Sequence, residues 1–132
     1  MTTTSIDQPV AVVTGAARGI GYAIAEWFLA RRYRVALMDY EAETLQQAAE
    51  KLSSQGAVMP LHCDVSDADS VAVAIGQIDA KWGRIDALVN NAGIAIFKPL
   101  LETSFDEWRR VLATNLDGVF LCSQACAAIM KR

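Results

Sequence analysis

The clearest chemical potential in this 132-residue chain lies in the run Thr14-Gly15-Ala16-Ala17-Arg18-Gly19-Ile20-Gly21. It follows a short apolar stretch and opens a segment of helical periodicity. Glycines there permit a tight turn and the close approach of a ligand that a Cβ would obstruct. A loop of this kind at a helix start aims backbone N–H groups at an anion, and a pyrophosphate suits that chemistry. Taken alone, the loop also fits a plain tight turn. Its spacing, G-x-x-x-G-x-G, departs from G-x-G-x-x-G, and the absence of a following Gly-Lys-Ser/Thr excludes a P-loop.

Asp39 ends the second apolar run, 18 residues after Gly21. A carboxylate at that point can accept hydrogen bonds from both ribose hydroxyls of an adenosine and would repel a 2′-phosphate, so NAD is favoured over NADP. Arg18 argues the other way, because a guanidinium in the loop could hold that phosphate. The carboxylate outweighs it, since its hydrogen bonds would have to give way to like-charge repulsion. Asn115 falls on the apolar side of a helical segment, between Leu112 and Val119. A carboxamide there is costly unless both its polar atoms are satisfied; a purely structural helix-bending Asn is the other reading. Cys122 and Cys126 stand four apart on the same segment and Cys63 lies far from them, which reads as buried free thiols in a reducing compartment. One His and three Cys make no zinc site of ordinary spacing, so no metal is expected.

The elements that must position these residues are legible as alternating patterns. Val10–Val13, Val35–Met38 and Ala87–Val89 are unbroken apolar runs, with Val58–His62 a weaker one. Continuous rather than alternating apolarity implies strands buried on both faces, as in a parallel sheet covered by helices. Between them the period becomes helical: Ile20, Ala23, Ile24, Trp27 and Phe28; then Leu45, Ala48, Ala49 and Leu52 before Gly56; then Val71, Ile75, Ile78 and Trp82 before Gly83. Ser66 and Asp69 form a candidate capping pair for the third helix. The stretch from about Ser104 to Arg132 reads as helix throughout, with Phe105, Trp108, Val111, Leu112, Asn115, Leu116 and Val119 on one side. The order β-α-β-α-β-α-β-α predicts an α/β fold, a three-layer, doubly wound parallel sheet. Residues 1–8 are expected to be a flexible N-terminus and 9–132 a dinucleotide-binding domain.

Composition bounds the alternatives. Hydrophobic residues make up 53% and charged residues 20%, which excludes a disordered chain. Twelve Lys and Arg against 15 Asp and Glu give a net charge of −3, which argues against a nucleic-acid partner. Met1 to Ser5 lack the charged and apolar regions of a signal peptide. No unbroken apolar run approaches the roughly 18 residues of a membrane span. A cytoplasmic protein without membrane contact is therefore expected.

Taken in order, these motifs resemble the short-chain dehydrogenase/reductases from Pro9 onward. The resemblance rests on Thr14-Gly15-x-x-x-Gly19-Ile20-Gly21, Asp39, Asp64-Val65, Asn90-Asn91-Ala92-Gly93, and Asn115 within Thr114-Asn115-Leu116-x-Gly118-Val119-Phe120. It implies a Rossmann-type sheet of order 3-2-1-4 and hydride transfer between a nicotinamide and the carbon of an alcohol or ketone. The implied cofactor contacts are Gly15, Ala17, Arg18, Gly19, Ile20 and Gly21 in the loop and Asp39 and Tyr40 after the second strand. Asp64 is implied as an adenine contact with Val65 beside it. Asn91 would face the cofactor and steady the sheet, and Ala92 and Gly93 would leave room for the nicotinamide-side ribose. Asn115 is implied as the Asn of the catalytic tetrad, which kinks its helix and holds a water for proton relay.

The rest of that tetrad, a Ser and a Tyr-x-x-x-Lys, is not found: Tyr22, Tyr33 and Tyr40 are followed four residues on by Glu26, Leu37 and Thr44. The chain is therefore expected to be the cofactor-binding half of such an enzyme, inactive by itself, with the family's later strands missing and strand 4 an open edge. That would explain its high apolar content. The complete protein would act on a small alcohol or carbonyl substrate, uncharged if the apolar Ile94-Ala95-Ile96-Phe97 is a guide. It would assemble as a dimer or tetramer through the long helix near Asn115. The alternatives are a stand-alone NAD-binding sensor domain and a module that completes another subunit's sheet.

Overall fold

Each of the four apolar runs becomes a strand, and the burial of alternate residues shows why their sequences do not alternate. The computed structural model describes residues 7–132. Strands β1 (Val10–Thr14), β2 (Arg34–Asp39), β3 (Val58–His62) and β4 (Ala87–Val89) form one parallel sheet in the order β3-β2-β1-β4. Val12 pairs with Ala36 on one side and Leu88 on the other. Val10, Val12, Ala36 and Met38 face one apolar layer, and Val13, Val35 and Leu37 face the opposite one. Both faces of the inner strands are thus dry, as continuous apolar runs require.

Helices α1 (Gly19–Ala30) and α2 (Ala42–Leu52) cover the second face, and α3 (Ala68–Trp82) with α5 (Gly118–Met130) covers the first. Between β4 and α5 lie a 3₁₀ turn (Leu100–Glu102), helix α4 (Phe105–Leu112) and one π-helical turn (Ala113–Asp117). The three-layer α/β architecture and the order 3-2-1-4 agree with expectation. Strand β4 pairs only with β1 among the described strands, and its three residues are part-exposed.

Three local expectations change. The buried face of α1 is Gly21, Ala25 and Leu29, not the stripe through Ile20 and Trp27, which are exposed. Close approach of Gly21 to the preceding loop turns the helix by about one residue. Helix α3 is capped by Asp67, whose side chain accepts the N–H groups of Asp69 and Ser70, not by a Ser66–Asp69 pair. Helix α2 ends at Leu52 with its cap at Ser53, before Gly56, whereas Gly83 does end α3 in a left-handed conformation.

The last helical stretch is likewise not one helix with one apolar side. The π turn inserts an extra residue and rotates the face by about 100°. Gly118, Cys122, Cys126 and Ile129 pack inward, while Phe105, Trp108, Leu116 and Val119 are exposed. All three cysteines are free and buried as expected. Burial pushes the Cys122 thiol up to about 11 and the Cys126 thiol up to about 12.

The helical span Phe105–Met130 is also long and apolar enough to cross a membrane by length and composition. The expectation that no unbroken apolar run reaches that length stands. The polar residues of the segment are scattered, so the apolar average survives where no continuous run does. One side of α5 is nevertheless a core face against the sheet and α3.

Of the N-terminal segment 1–8, residues 1–6 lie outside the described residues. Gln8 presents its carbonyl to Arg34 Nη2 at 2.8 Å.

Candidate functional site

The carboxyl ends of β1, β2, β3 and β4 open onto a cleft of about 610 Å³, within the ordinary size range of a ligand pocket. Thr14, the polar end of an otherwise apolar strand, ties its centre together. Its Oγ1 accepts the N–H groups of Asn91 and Ala92, both at 2.9 Å. Asn91 returns the link by donating from Nδ2 to the carbonyls of Thr14 and Gly15, both at 3.1 Å. The end of β4 is thereby strapped to the start of the glycine loop.

The loop geometry depends on two glycines in particular. Gly15 has φ +64°, and a Cβ on it would stand 2.9 Å from Asn91 Nδ2. A Cβ on Gly21 would stand 2.1 Å from the Gly15 carbonyl oxygen, an impossible contact. The first turn of α1 can therefore lie directly against the loop. Its N-terminus has no side-chain cap and no acidic residue in the first turn, unlike those of α3 and α4. Uncapped N–H groups at the positive end of a helix suit a pyrophosphate.

Asp39 reaches the loop from the end of β2. Its Oδ2 accepts the Ala17 N–H and its Oδ1 the Glu41 N–H, each at 3.0 Å. Each oxygen keeps lone-pair capacity for a hydroxyl donor, which is what a ribose diol offers. Asp64 sits across the cleft after β3, where its Oδ1 accepts from Ser66 N–H at 3.0 Å and Ser66 Oγ at 2.6 Å. These bonds orient the carboxylate within an Asx-type turn.

At the far end, Asn115 lies in the π turn. Its Oδ1 accepts the Ile94 N–H at 2.8 Å and its Nδ2 donates to the Ile94 carbonyl at 2.9 Å. Both polar atoms of the carboxamide are satisfied, and they pin the loop that follows Gly93.

Gly15, Arg18, Asp39, Tyr40, Asp64 and Val65 line the cleft, and Asn91, Ala92 and Gly93 continue it. Gly19, Ile20 and Gly21 are not among the lining residues, and Ala17 serves through its N–H on Asp39. Asn115 acts at the rim, where Arg110 and Thr114 are the lining residues. Thr14, Glu41, Ser66 and Arg110 are not among the site residues that the sequence indicates. Only Thr14 carried a signal, a lone hydroxyl ending an apolar strand. A dinucleotide fits this donor set: N–H groups for a pyrophosphate, a carboxylate for a ribose, and no side chains where glycines pass.

The family model described as short chain dehydrogenase matches residues 9–132. The chain belongs to that family. Among the chain's relatives, D-threitol dehydrogenase of Mycolicibacterium smegmatis is 46% identical over 128 residues, covering 96% of the chain and 48% of the relative. Meso-2,3-butanediol dehydrogenase of Serratia marcescens is 42% identical over 118 residues, covering 89% and 47%. A metagenomic short-chain oxidoreductase solved in complex with NADP superposes with a TM-score of 0.87 at 37% identity, covering 96% of the chain and 58% of that structure. The chain spans about half the length of the curated relatives it matches.

Proposed function

We propose that this chain is the cofactor-binding half of an NAD-dependent oxidoreductase that exchanges a hydride between nicotinamide and a secondary alcohol or ketone. The observation that carries this reading is the convergence of the Gly15 loop, Asp39, Asp64 and Asn91 on one cleft at the strand ends. When bound, the nicotinamide supplies the hydride chemistry. The chain's own work is to hold the pyrophosphate on the start of α1, the ribose on Asp39 and the adenine beside Asp64. The strapped segment Asn91–Gly93 accommodates the second ribose. NAD is preferred to NADP because Asp39 offers acceptors to a diol and repulsion to a phosphate. An NADP-bound structural neighbour describes that protein's cofactor and leaves the preference here to be measured.

Asn115 is the member of the catalytic tetrad present, and its clamp on Ile94 holds the cleft rim. No Tyr-x-x-x-Lys occurs in these 132 residues. Turnover therefore requires sequence beyond them, and the chain alone binds cofactor without catalysis. Relatives named for threitol and butanediol support a small uncharged diol or polyol as substrate, in keeping with the apolar residues Ile94, Ile96 and Phe97 that follow Gly93 in the chain. The protein is a cytoplasmic dimer or tetramer, the exposed apolar side of α4 and α5 being available for assembly, with neither nucleic acid nor membrane as partner.

The test is an absorbance assay of NAD reduction with vicinal diols and acyclic polyols. A protein extending past residue 132 through a Ser and a Tyr-x-x-x-Lys turns over, and these 132 residues alone do not. Reduction of NAD by the 132-residue chain would overturn the assignment.

A further inference from the structure

The adenosine end of the cleft brings one guanidinium, Arg18, among three carboxylates, those of Asp39, Glu41 and Asp64. Arg18 does not face the cleft unengaged: its Nη2 lies 2.6 Å from Glu41 Oε1. The other oxygen of Glu41 accepts from Thr44 Oγ1 at 3.3 Å. The Glu41 N–H donates to Asp39 Oδ1, and Asp39 Oδ2 accepts from Ala17, the neighbour of Arg18. A ring is closed from Ala17 through Arg18, Glu41 and Asp39 back to Ala17. It joins the glycine loop to the end of β2.

An arginine in such a loop is otherwise well suited to a 2′-phosphate, because its planar fork pairs with phosphate oxygens through two charge-assisted bonds. Here one arm of the fork, Nη2, is already engaged by a carboxylate. An incoming phosphate monoester carries a charge of about −1.5 to −2 and would have to displace Glu41 while facing Asp39. A ribose diol makes no such demand. We propose that Glu41 is a specificity-determining residue: by holding Arg18 it withdraws the cation that would recruit NADP, so cofactor choice is set by the Arg18–Glu41 pair together with Asp39. The proposal rests on the reading of this cleft as a dinucleotide site.

The pair is solvent-exposed, with side-chain exposures of 70% and 43%, so its loss leaves the fold intact. The test is a double-mutant cycle on the purified protein, read as dissociation constants for NADH and NADPH. Glu41→Gln is expected to tighten NADPH about tenfold, one released charge-assisted contact, while NADH changes by a smaller factor. Arg18→Ala alone is expected to leave NADPH affinity near its starting value, and in the Glu41→Gln background it removes the gain. Raised salt should shrink the NADPH gain. Unchanged NADPH affinity in Glu41→Gln overturns the proposal. So does equal tightening of both cofactors, or a gain that survives Arg18→Ala. Wild-type protein that binds neither cofactor would instead refute the dinucleotide reading and this proposal with it.

Discussion

Asn115 grips both backbone groups of Ile94, accepting from its N–H at 2.8 Å and donating to its carbonyl at 2.9 Å. One side chain thus joins the π turn after α4 to the loop leaving β4. Asn115→Ala removes two hydrogen bonds worth about 0.5–1.5 kcal/mol each. Because the site is exposed, a loss near 1 kcal/mol in urea denaturation is expected, with faster amide exchange at Ile94. Unchanged exchange at Ile94 would show that the clamp does not hold the loop.

Two glycines should respond oppositely to alanine. Gly21→Ala places a methyl 2.1 Å from the Gly15 carbonyl, so the loop must move. Cofactor affinity and thermal stability should both fall. Gly76, exposed within α3, has no heavy atom within 4 Å of an added Cβ. Gly76→Ala should stabilise by about 0.5–1 kcal/mol through helix propensity. Thermal melts of the two variants check both directions, and a tolerated Gly21→Ala would contradict the loop geometry.

Acid should loosen the start of α4. The Lys98 ammonium, 2.8 Å from Glu107, together with the Ser104 capping box, holds the Glu107 carboxyl down at about 2. A folded value below the unfolded one stabilises the fold at every pH above the unfolded value of 4.5, and the contribution fades as pH falls toward 2. Glu107→Gln should flatten this part of the acid dependence in denaturation curves followed by tryptophan fluorescence. Equal acid dependence in both proteins would remove Glu107 from the account.

The strands and the glycine loop could be read from sequence because each rests on local pattern, apolar runs such as Val10–Val13 and the spacing of Gly15, Gly19 and Gly21, whereas the order 3-2-1-4 was implied by the family resemblance. Side-chain commitments across the fold could not be read that way. Nothing in the spacing of Arg18 and Glu41 shows that they meet, since the meeting needs β2 to end beside the loop. The apolar stripe from Phe105 to Val119 misled for a related reason. Helical periodicity assumes a constant turn, and the π segment at Ala113–Asp117 breaks it. In α1, the approach of Gly21 to Gly15 outweighed the pull of Ile20 and Trp27 toward the core.

Calorimetric titration of NADH and NADPH into wild-type and Asp39→Ala protein tests whether the cleft binds NAD with Asp39 at the ribose. Saturable NADH binding to the wild type is expected. In Asp39→Ala, NADH should weaken by about tenfold or more, as expected for lost hydrogen bonds to a charged group, and NADPH should weaken less. Absence of saturable NADH binding, or equal weakening of both cofactors, would contradict it.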